Sequence, residues 1–444
     1  MAASGRDNRM YALDGLRLVV ALMVVFYHYV ATADPWGHST ATIFPTAHHF
    51  ARFGWLGVEI FFLISGFVIC MSVWGRTLGD FAISRLTRLF PAYWVAVLMT
   101  AIVVKTWPVV SDIDGWGTVI TNLTMLQGGN NTPSVDKVYW TLFVELKFYL
   151  LMAVVVFFGV TYRTCLVFCG VWTAAAALAP VMGSEFLKQF AMPVYAPYFI
   201  AGMAFYLMRR YGPNAILWTI VGFQLLLSQR YVDYRMEVSL GRELAESMPT
   251  WPARLVVVAG FALVGAIALG AFDRVRWKWL THAGAITYPL YLIHMFIGMT
   301  IIHELRDRVP AVPLVVMVTV GMMAVAWLIH RFVERPVGTW MRAGLKRAVQ
   351  DVRRETRPGG ARVRRDGNPP EPTPAPAARA AAVPAAAPAA PAAPAAPAAP
   401  AGHRDAETLT LSVPTGLIPA PRHPHSGAGD GVDASRGFPA GPGA

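Results

Sequence analysis

Charge is scarce in this chain. Asp, Glu, Lys and Arg make up only 14% of its 444 residues and hydrophobic residues 55%, against roughly 25% and 45–50% in soluble globular domains. An ordinary water-soluble enzyme is thereby excluded. Cysteine is scarcer still: Cys70, Cys165 and Cys169 all lie in apolar stretches and match no paired or metal-ligand spacing, which argues against redox chemistry and a metal site. Missing too is a solvated basic face with interleaved aromatics. The net charge of +12 comes from Lys and Arg in short loops and beside apolar segments, so nucleic acid is not an expected partner.

What is present is a series of apolar runs, each long enough to cross a hydrocarbon core of roughly 30 Å at about 1.5 Å per residue. Ten candidate spans run near Leu13 to Ala31, Trp55 to Trp74, Phe90 to Val104, Tyr139 to Val160, Thr164 to Val181, Val194 to Met208, Ala215 to Leu227, Arg254 to Ala271, Ala285 to Ile302 and Val312 to Phe332. The fold expected is all-α, a polytopic membrane bundle of about ten transmembrane helices. Basic residues support the count. Arg6 and Arg9, Arg76 with Arg85 and Arg88, Arg163, Arg209 with Arg210, Arg274 with Arg276 and Lys278, and Arg342 with Lys346 and Arg347 all fall in one alternate set of loops. Cytoplasmic loops carry such an excess, so both termini are expected in the cytoplasm, with membrane lipid as a constant partner. The opposite loops mix signs, as in the segment with Asp233, Arg235 and Glu237. The first span carries Asp14 and Arg17 within its apolar run and no small-residue cleavage site, so it is expected to remain in the mature protein.

Residues 1–348 thus form the expected transmembrane domain. Residues 349–444 turn Arg-rich, then Pro- and Ala-rich, then rich in Gly, Pro and Ser. Such a segment buries too little apolar surface to offset the entropy of ordering it, and is expected to be a disordered cytoplasmic tail. It lacks the pattern of a second catalytic domain.

Several titratable residues sit inside the spans, where they are expensive and mark sites by default. Arg17 and His28 are eleven residues apart, three helical turns plus roughly 20°, so both share a face about 16 Å apart. Snorkelling of Arg17 to the headgroups and a satisfied core His28 would also fit this spacing. Glu59 lies among aromatics in Gly57-Val58-Glu59-Ile60-Phe61-Phe62, and its ionised form needs a partner there. Ser65-Gly66 permits close helix approach. Arg85 and Arg88, if helical, project from one face and suit a phosphate, although on spacing alone ordinary positive-inside anchoring is the favoured reading. Glu145 stands near the outer entry of a span, either orienting an imidazole or pairing with Lys147. Trp36, Trp116 and Tyr139 suit stacking on sugar faces or an interfacial aromatic belt.

Six motifs in order carry a family resemblance: Leu13-Asp14-Gly15-Leu16-Arg17 with His28; Gly57-Val58-Glu59-x-Phe61-Phe62-x-x-Ser65-Gly66-Phe67; Arg85-x-x-Arg88 before Pro91; Trp140-x(4)-Glu145-x-x-Phe148-Tyr149; Tyr291-Leu292-Ile293-His294; and Glu334-Arg335-Pro336. Over roughly the first 340 residues the chain resembles the acyltransferase 3 family of integral-membrane O-acyltransferases. The resemblance implies that Arg17 and His28 are required for activity and that Arg85 and Arg88 belong to a cytoplasmic acyl-donor site. It marks Asp14, Glu59, Ser65, His294 and Glu334 as supporting residues. Glu59 departs from the more common Asp, which lengthens the acidic arm. The chain shows no extracytoplasmic esterase-like domain of the kind some members carry, which suggests direct acylation of the final acceptor.

The function expected is transfer of an acyl group, acetyl for preference, from cytoplasmic acyl-CoA to a hydroxyl of a cell-envelope carbohydrate, glycolipid or secreted metabolite, at a bacterial plasma membrane. No bound cofactor or metal is expected; acyl-CoA is a co-substrate. His28 would act as general base, with Glu145 orienting it and stabilising the imidazolium. Brief carriage of the acyl group on His28 is a variant of the same chemistry. A transporter or flippase is the alternative, since buried charges also line substrate paths, although the sequence has no evident internal repeat.

Overall fold

The computed structural model describes residues 10–355, and these contain helices and connecting turns but no strand. Helix α1 (Tyr11–Phe26) continues into a π turn over Tyr27–Ala31. It is followed by α2 (Gly57–Val73), α3 (Leu78–Thr106), α4 (Trp140–Phe157), α5 (Tyr162–Met182) and α6 (Ala196–Tyr211). Then come α7 (Ala215–Arg230), α8 (Val232–Leu240), α9 (Trp251–Ala268), α10 (Trp279–Leu305), α11 (Ala311–Ile329) and α12 (Arg335–Glu355). Among the described residues nine helical stretches are long and apolar enough to cross a membrane, and the bent pair α7 and α8 supplies a tenth. The chain is a multi-pass membrane bundle.

The largest differences from expectation are at three boundaries. The third span begins twelve residues before Phe90, at Leu78, because Thr77 caps it: the Thr77 hydroxyl accepts a hydrogen bond from the Asp80 amide. The helix then runs through both arginines and through Pro91. Proline there removes the amide that would bond the Thr87 carbonyl, and Gly338 of α12 packs closely against that same carbonyl. The seventh span is broken, α7 and α8 meeting at 45°. At the far end, α12 runs across the boundary expected at residue 348 and ends at Glu355; the remainder of the expected tail lies outside the described residues.

Two contacts set the core. At the crossing of α2 and α6, a methyl at Gly66 would strike the Phe199 carbonyl oxygen and one at Gly202 the Leu63 carbonyl oxygen. The backbones touch, so the reading of Ser65-Gly66 as a close-approach site holds. Helix α10 is buried on every side from Leu290 to Thr300, as befits a helix apolar all round. Against it lies α1, whose Asp14 and Gly15 meet Gly284 and Leu280, while its Val20 and Val24 turn to Gly57 of α2. By contrast α5 and α11 turn Val167, Val171, Val316 and Val320 outward, as helices facing lipid should. The His-bearing helices α1 and α10 are therefore neighbours in the packed centre.

Candidate active site

The bundle has a basic end, where α1 starts, α2 and α6 finish and the α9–α10 loop lies, and an opposite end. Near the basic end a cavity of about 100 Å3 is lined by Arg17, Ser65, Arg85, Arg88, Glu145 and Tyr149, and further in by Thr141, Tyr288 and Tyr291. Its volume is well below the roughly 300 Å3 at which pockets begin to admit ring-bearing ligands, so it suits a thin chain. Helix α3 is what brings the arginines here: at i and i+3 they share one face, and Arg85 is only 9% exposed. Its guanidinium stands 6.0 Å from the Phe81 ring centroid and 5.9 Å from that of Tyr149 and donates to Ser84 Oγ at 3.3 Å.

Among the described residues, none of the three arginines has a carboxylate within ion-pair distance. The buried Arg85 Nε has no hydrogen-bond partner. A buried donor left open costs free energy unless something accepts from it. Glu145 lines the same cavity, and its Oε1 accepts from the Ser65 hydroxyl at 3.1 Å.

Deeper in the bundle, His28 sits in the π turn that ends α1, and π turns inside helices frequently mark functional sites. Its Nδ1 lies 3.0 Å from the Val24 carbonyl oxygen and 3.1 Å from His294 Nε2 of α10. The partners fix the tautomers. His294 Nδ1 is 2.8 Å from the Tyr291 carbonyl oxygen, which only an N–H can face favourably, so His294 Nε2 carries a lone pair. His28 Nδ1 then faces two acceptors and carries the proton, leaving its Nε2 as a free base. Glu145 is absent from this arrangement: the group that orients His28 is an imidazole, and the expected carboxylate stands with the arginines instead. The cavity and the histidines meet at Tyr291, whose hydroxyl is 2.9 Å from Thr141 Oγ1 and whose ring centroid is 5.7 Å from that of His294.

The remaining sequence candidates are scattered. Glu59 is buried away from both groups, where its Oε1 accepts from Arg235 Nε at 2.7 Å. Arg235, expected in an outer loop, is 5% exposed and boxed by the rings of Trp55, Trp140 and Tyr195 at 5.2–5.6 Å. Asp14 packs on Gly284 of α10. Glu334 closes the π turn His330–Glu334 by accepting from or pairing with His330 Nδ1 at 2.9 Å. Trp36 and Tyr139 are core residues, the former donating to the Tyr29 carbonyl at 2.8 Å, and neither can stack on a sugar; Trp116 is exposed.

Sequence reasoning missed the brace around His294. Tyr29 donates to the His294 carbonyl at 2.6 Å, Tyr139 to the Leu292 carbonyl at 3.2 Å, and the Phe296 amide to Asp136 Oδ2 at 3.1 Å. Backbone groups of one turn of α10 are thereby held from outside. An acid just before an apolar run, as Asp136 is, was the one available signal. Among the described residues no group of three or more His, Cys, Asp or Glu is arranged to hold a metal ion.

Fold and site define a membrane-embedded helix bundle with an arginine-lined cavity near one end and a hydrogen-bonded pair of buried histidines, His28 and His294, deeper inside. The acyltransferase 3 family model, described as an acyltransferase domain, matches residues 10–331, and the chain belongs to this family. It is 25% identical over 331 residues to acyltransferase MdmB of Streptomyces mycarofaciens, covering 66% of this chain and 80% of that protein. It is 26% identical over 268 residues to exopolysaccharide production protein ExoZ of Rhizobium meliloti, covering 56% and 78%. With the peptidoglycan O-acetyltransferase OatA of Listeria monocytogenes it shares 25% over 173 residues, 34% of this chain and 25% of that one. No solved structure matches.

Proposed function

We propose that this acyltransferase takes an acyl group, acetyl for preference, from acyl-CoA at its basic end and passes it to a hydroxyl of an envelope carbohydrate, glycolipid or secreted metabolite. The observation that carries this reading is the buried, partnerless Arg85 Nε among three guanidiniums without a carboxylate partner, beside a narrow cavity whose lining reaches Tyr291, the ring that packs on His294. CoA phosphates would satisfy the arginines, since a guanidinium fork donates two parallel hydrogen bonds to a phosphate. The slender pantetheine arm fits a chain-sized channel, and about 16 Å separates Arg17 from His28 along α1.

His28 Nε2 then removes the proton of the acceptor hydroxyl as its oxygen attacks the thioester carbonyl carbon. The resulting imidazolium donates from Nδ1 to His294 Nε2, which plays the orienting part a carboxylate plays in other triads. When the tetrahedral intermediate collapses, the C–S bond breaks and His28 returns its proton to the departing sulfur, giving CoA thiol and the ester. Glu145, tied to Ser65, offsets part of the cationic charge, so that the spent donor can leave. The basic end faces the cytoplasm of a bacterial cell on this reading, in keeping with positive-inside loops. Names of relatives point to surface polysaccharide as the acceptor class.

Mass spectrometry of envelope glycans and small metabolites tests this in cells lacking the gene, complemented with wild type or His28→Ala. Wild type alone should restore an ester increment of one acyl group. Equal restoration by both would overturn the mechanism.

A further inference from the structure

A second and much larger cavity, about 790 Å3, opens at the basic end. It lies between the start of α1, the last turns of α2 and α6, and the α9–α10 loop, and shares no lining residue with the arginine pocket described above. Its charged lining is lopsided: Arg209, Arg210, Arg276 and Lys278 against the one carboxylate of Asp273. Arg209 pairs with that carboxylate at 2.9 Å. Gly270 makes room for the pair: at φ +90° it occupies a backbone conformation that side chains rarely adopt, and a Cβ there would crowd both partners.

Arg276 and Lys278 have no carboxylate partner among the described residues. Arg210 lies 4.3 Å over the Trp74 ring and donates to Tyr206 Oη at 3.3 Å, so its guanidinium is held in place without being neutralised. The Trp74 ring that seats Arg210 also lines the cavity. Positive-inside anchoring accounts for basic residues scattered over loop surfaces. It does not account for three uncompensated cations around one ligand-sized hollow, which falls within the roughly 300–1,000 Å3 usual for binding pockets.

Beside the cavity the loop turns exposed Trp277 and Trp279 outward, their rings stacked at 6.2 Å. Paired indoles at the basic end of a span sit where headgroups lie, and basic pockets between membrane helices on that side suit anionic headgroups.

We propose that this cavity is a second anion site, separate from the acyl-donor pocket, and that its ligand is a phosphate ester. Arg210, Arg276 and Lys278 hold the phosphate oxygens. The phosphate can belong to an anionic lipid headgroup, favoured by the flanking tryptophans, or to a soluble nucleotide. The inference concerns binding alone and does not rest on the acyl-transfer reading.

Native mass spectrometry of the detergent-purified full chain tests it, with phosphatidylglycerol or phosphatidylcholine as lipid probe and adenosine 3′,5′-bisphosphate as soluble probe. Wild type should retain phosphatidylglycerol, or the bisphosphate, about tenfold better than phosphatidylcholine, a preference worth about 1.4 kcal/mol. Arg276→Gln/Lys278→Gln should erase that preference, and Asp273→Asn, which frees Arg209, should strengthen it. The opposite signs separate a site from a folding defect, since both changes are at exposed positions. A lipid adduct that survives excess bisphosphate identifies the headgroup as the source. A bisphosphate adduct that displaces lipid and is lost in the double variant identifies the nucleotide. Equal retention of both lipids by wild type with no bisphosphate adduct, or charge variants indistinguishable from wild type, would overturn the proposal.

Discussion

Two clusters of buried charge lie along α2, six residues apart in sequence, and they are built on opposite plans. Around Glu59 the charge is closed: the carboxylate meets Arg235 at 2.7 Å, and three aromatic rings surround the guanidinium. Around Ser65 it is open: Arg17, Arg85 and Arg88 face a cavity, with Glu145 as the one carboxylate lining it. The closed pair meets through one carboxylate oxygen, Glu59 Oε2 being buried without a hydrogen-bond partner, and it fastens α8 to α2. An open cluster is costly in the empty protein and is relieved when an anion arrives. Both clusters contain an acid inside a membrane span, so the presence of buried charge alone does not distinguish structure from function. The partner does.

Breaking the comparison at its functional side should give the largest effect. His28→Ala removes the base toward which the open cluster directs its ligand. Turnover measured as thioester consumption should fall about 10²–10⁴-fold, with expression and unfolding temperature unchanged. Removing one half of the closed pair should act on stability instead: Glu59→Gln leaves Arg235 buried and uncompensated, at a cost of about 3–5 kcal/mol, read from unfolding in detergent. Replacing both partners, Glu59→Leu with Arg235→Met, should recover most of that loss. An unchanged melting temperature for the single variant would mean that the pair is not structural.

At the open cluster the signs reverse. Arg85→Gln should leave stability intact or improved, and should raise the KM for acyl-CoA by about 10–100-fold, the loss of one charge-assisted contact of about 1.5–3 kcal/mol. A destabilised Arg85→Gln would place this cluster with the closed one. The smallest effect belongs to Ser65→Ala, which frees Glu145 from its hydrogen bond and should cost about 0.5–1.5 kcal/mol, visible as a KM change below about tenfold.

Much of the fold was legible because the bilayer makes apolar length a direct signal. Ten expected spans and ten observed ones agree when the bent α7 and α8 are taken together. The most misread edge is one where charge interrupts the run: Arg85 and Arg88 made the start of α3 look like a loop, since hydropathy is blind to a helix whose polar face lines a cavity. Candidate site residues could be picked out one by one, but their partners could not. Periodicity put Arg17 and His28 on one face of α1, yet nothing in a single sequence says that His294, 266 residues away, supplies the partner nitrogen. For the same reason Glu145 was assigned to His28 and Arg235 to a loop. Pairings across the bundle are set by helix order and rotation, which local pattern does not encode.

The account's central claim is a division of labour between the arginines that hold the donor and the histidine that uses it. The most direct test measures acyl-CoA binding and CoA-thiol release side by side for purified wild type, His28→Ala and Arg85→Gln/Arg88→Gln. The account predicts that His28→Ala binds the donor with wild-type affinity and releases no thiol, while the arginine variant binds poorly and approaches wild-type turnover at saturating donor. Loss of donor binding in His28→Ala together with wild-type binding in the arginine variant would contradict it.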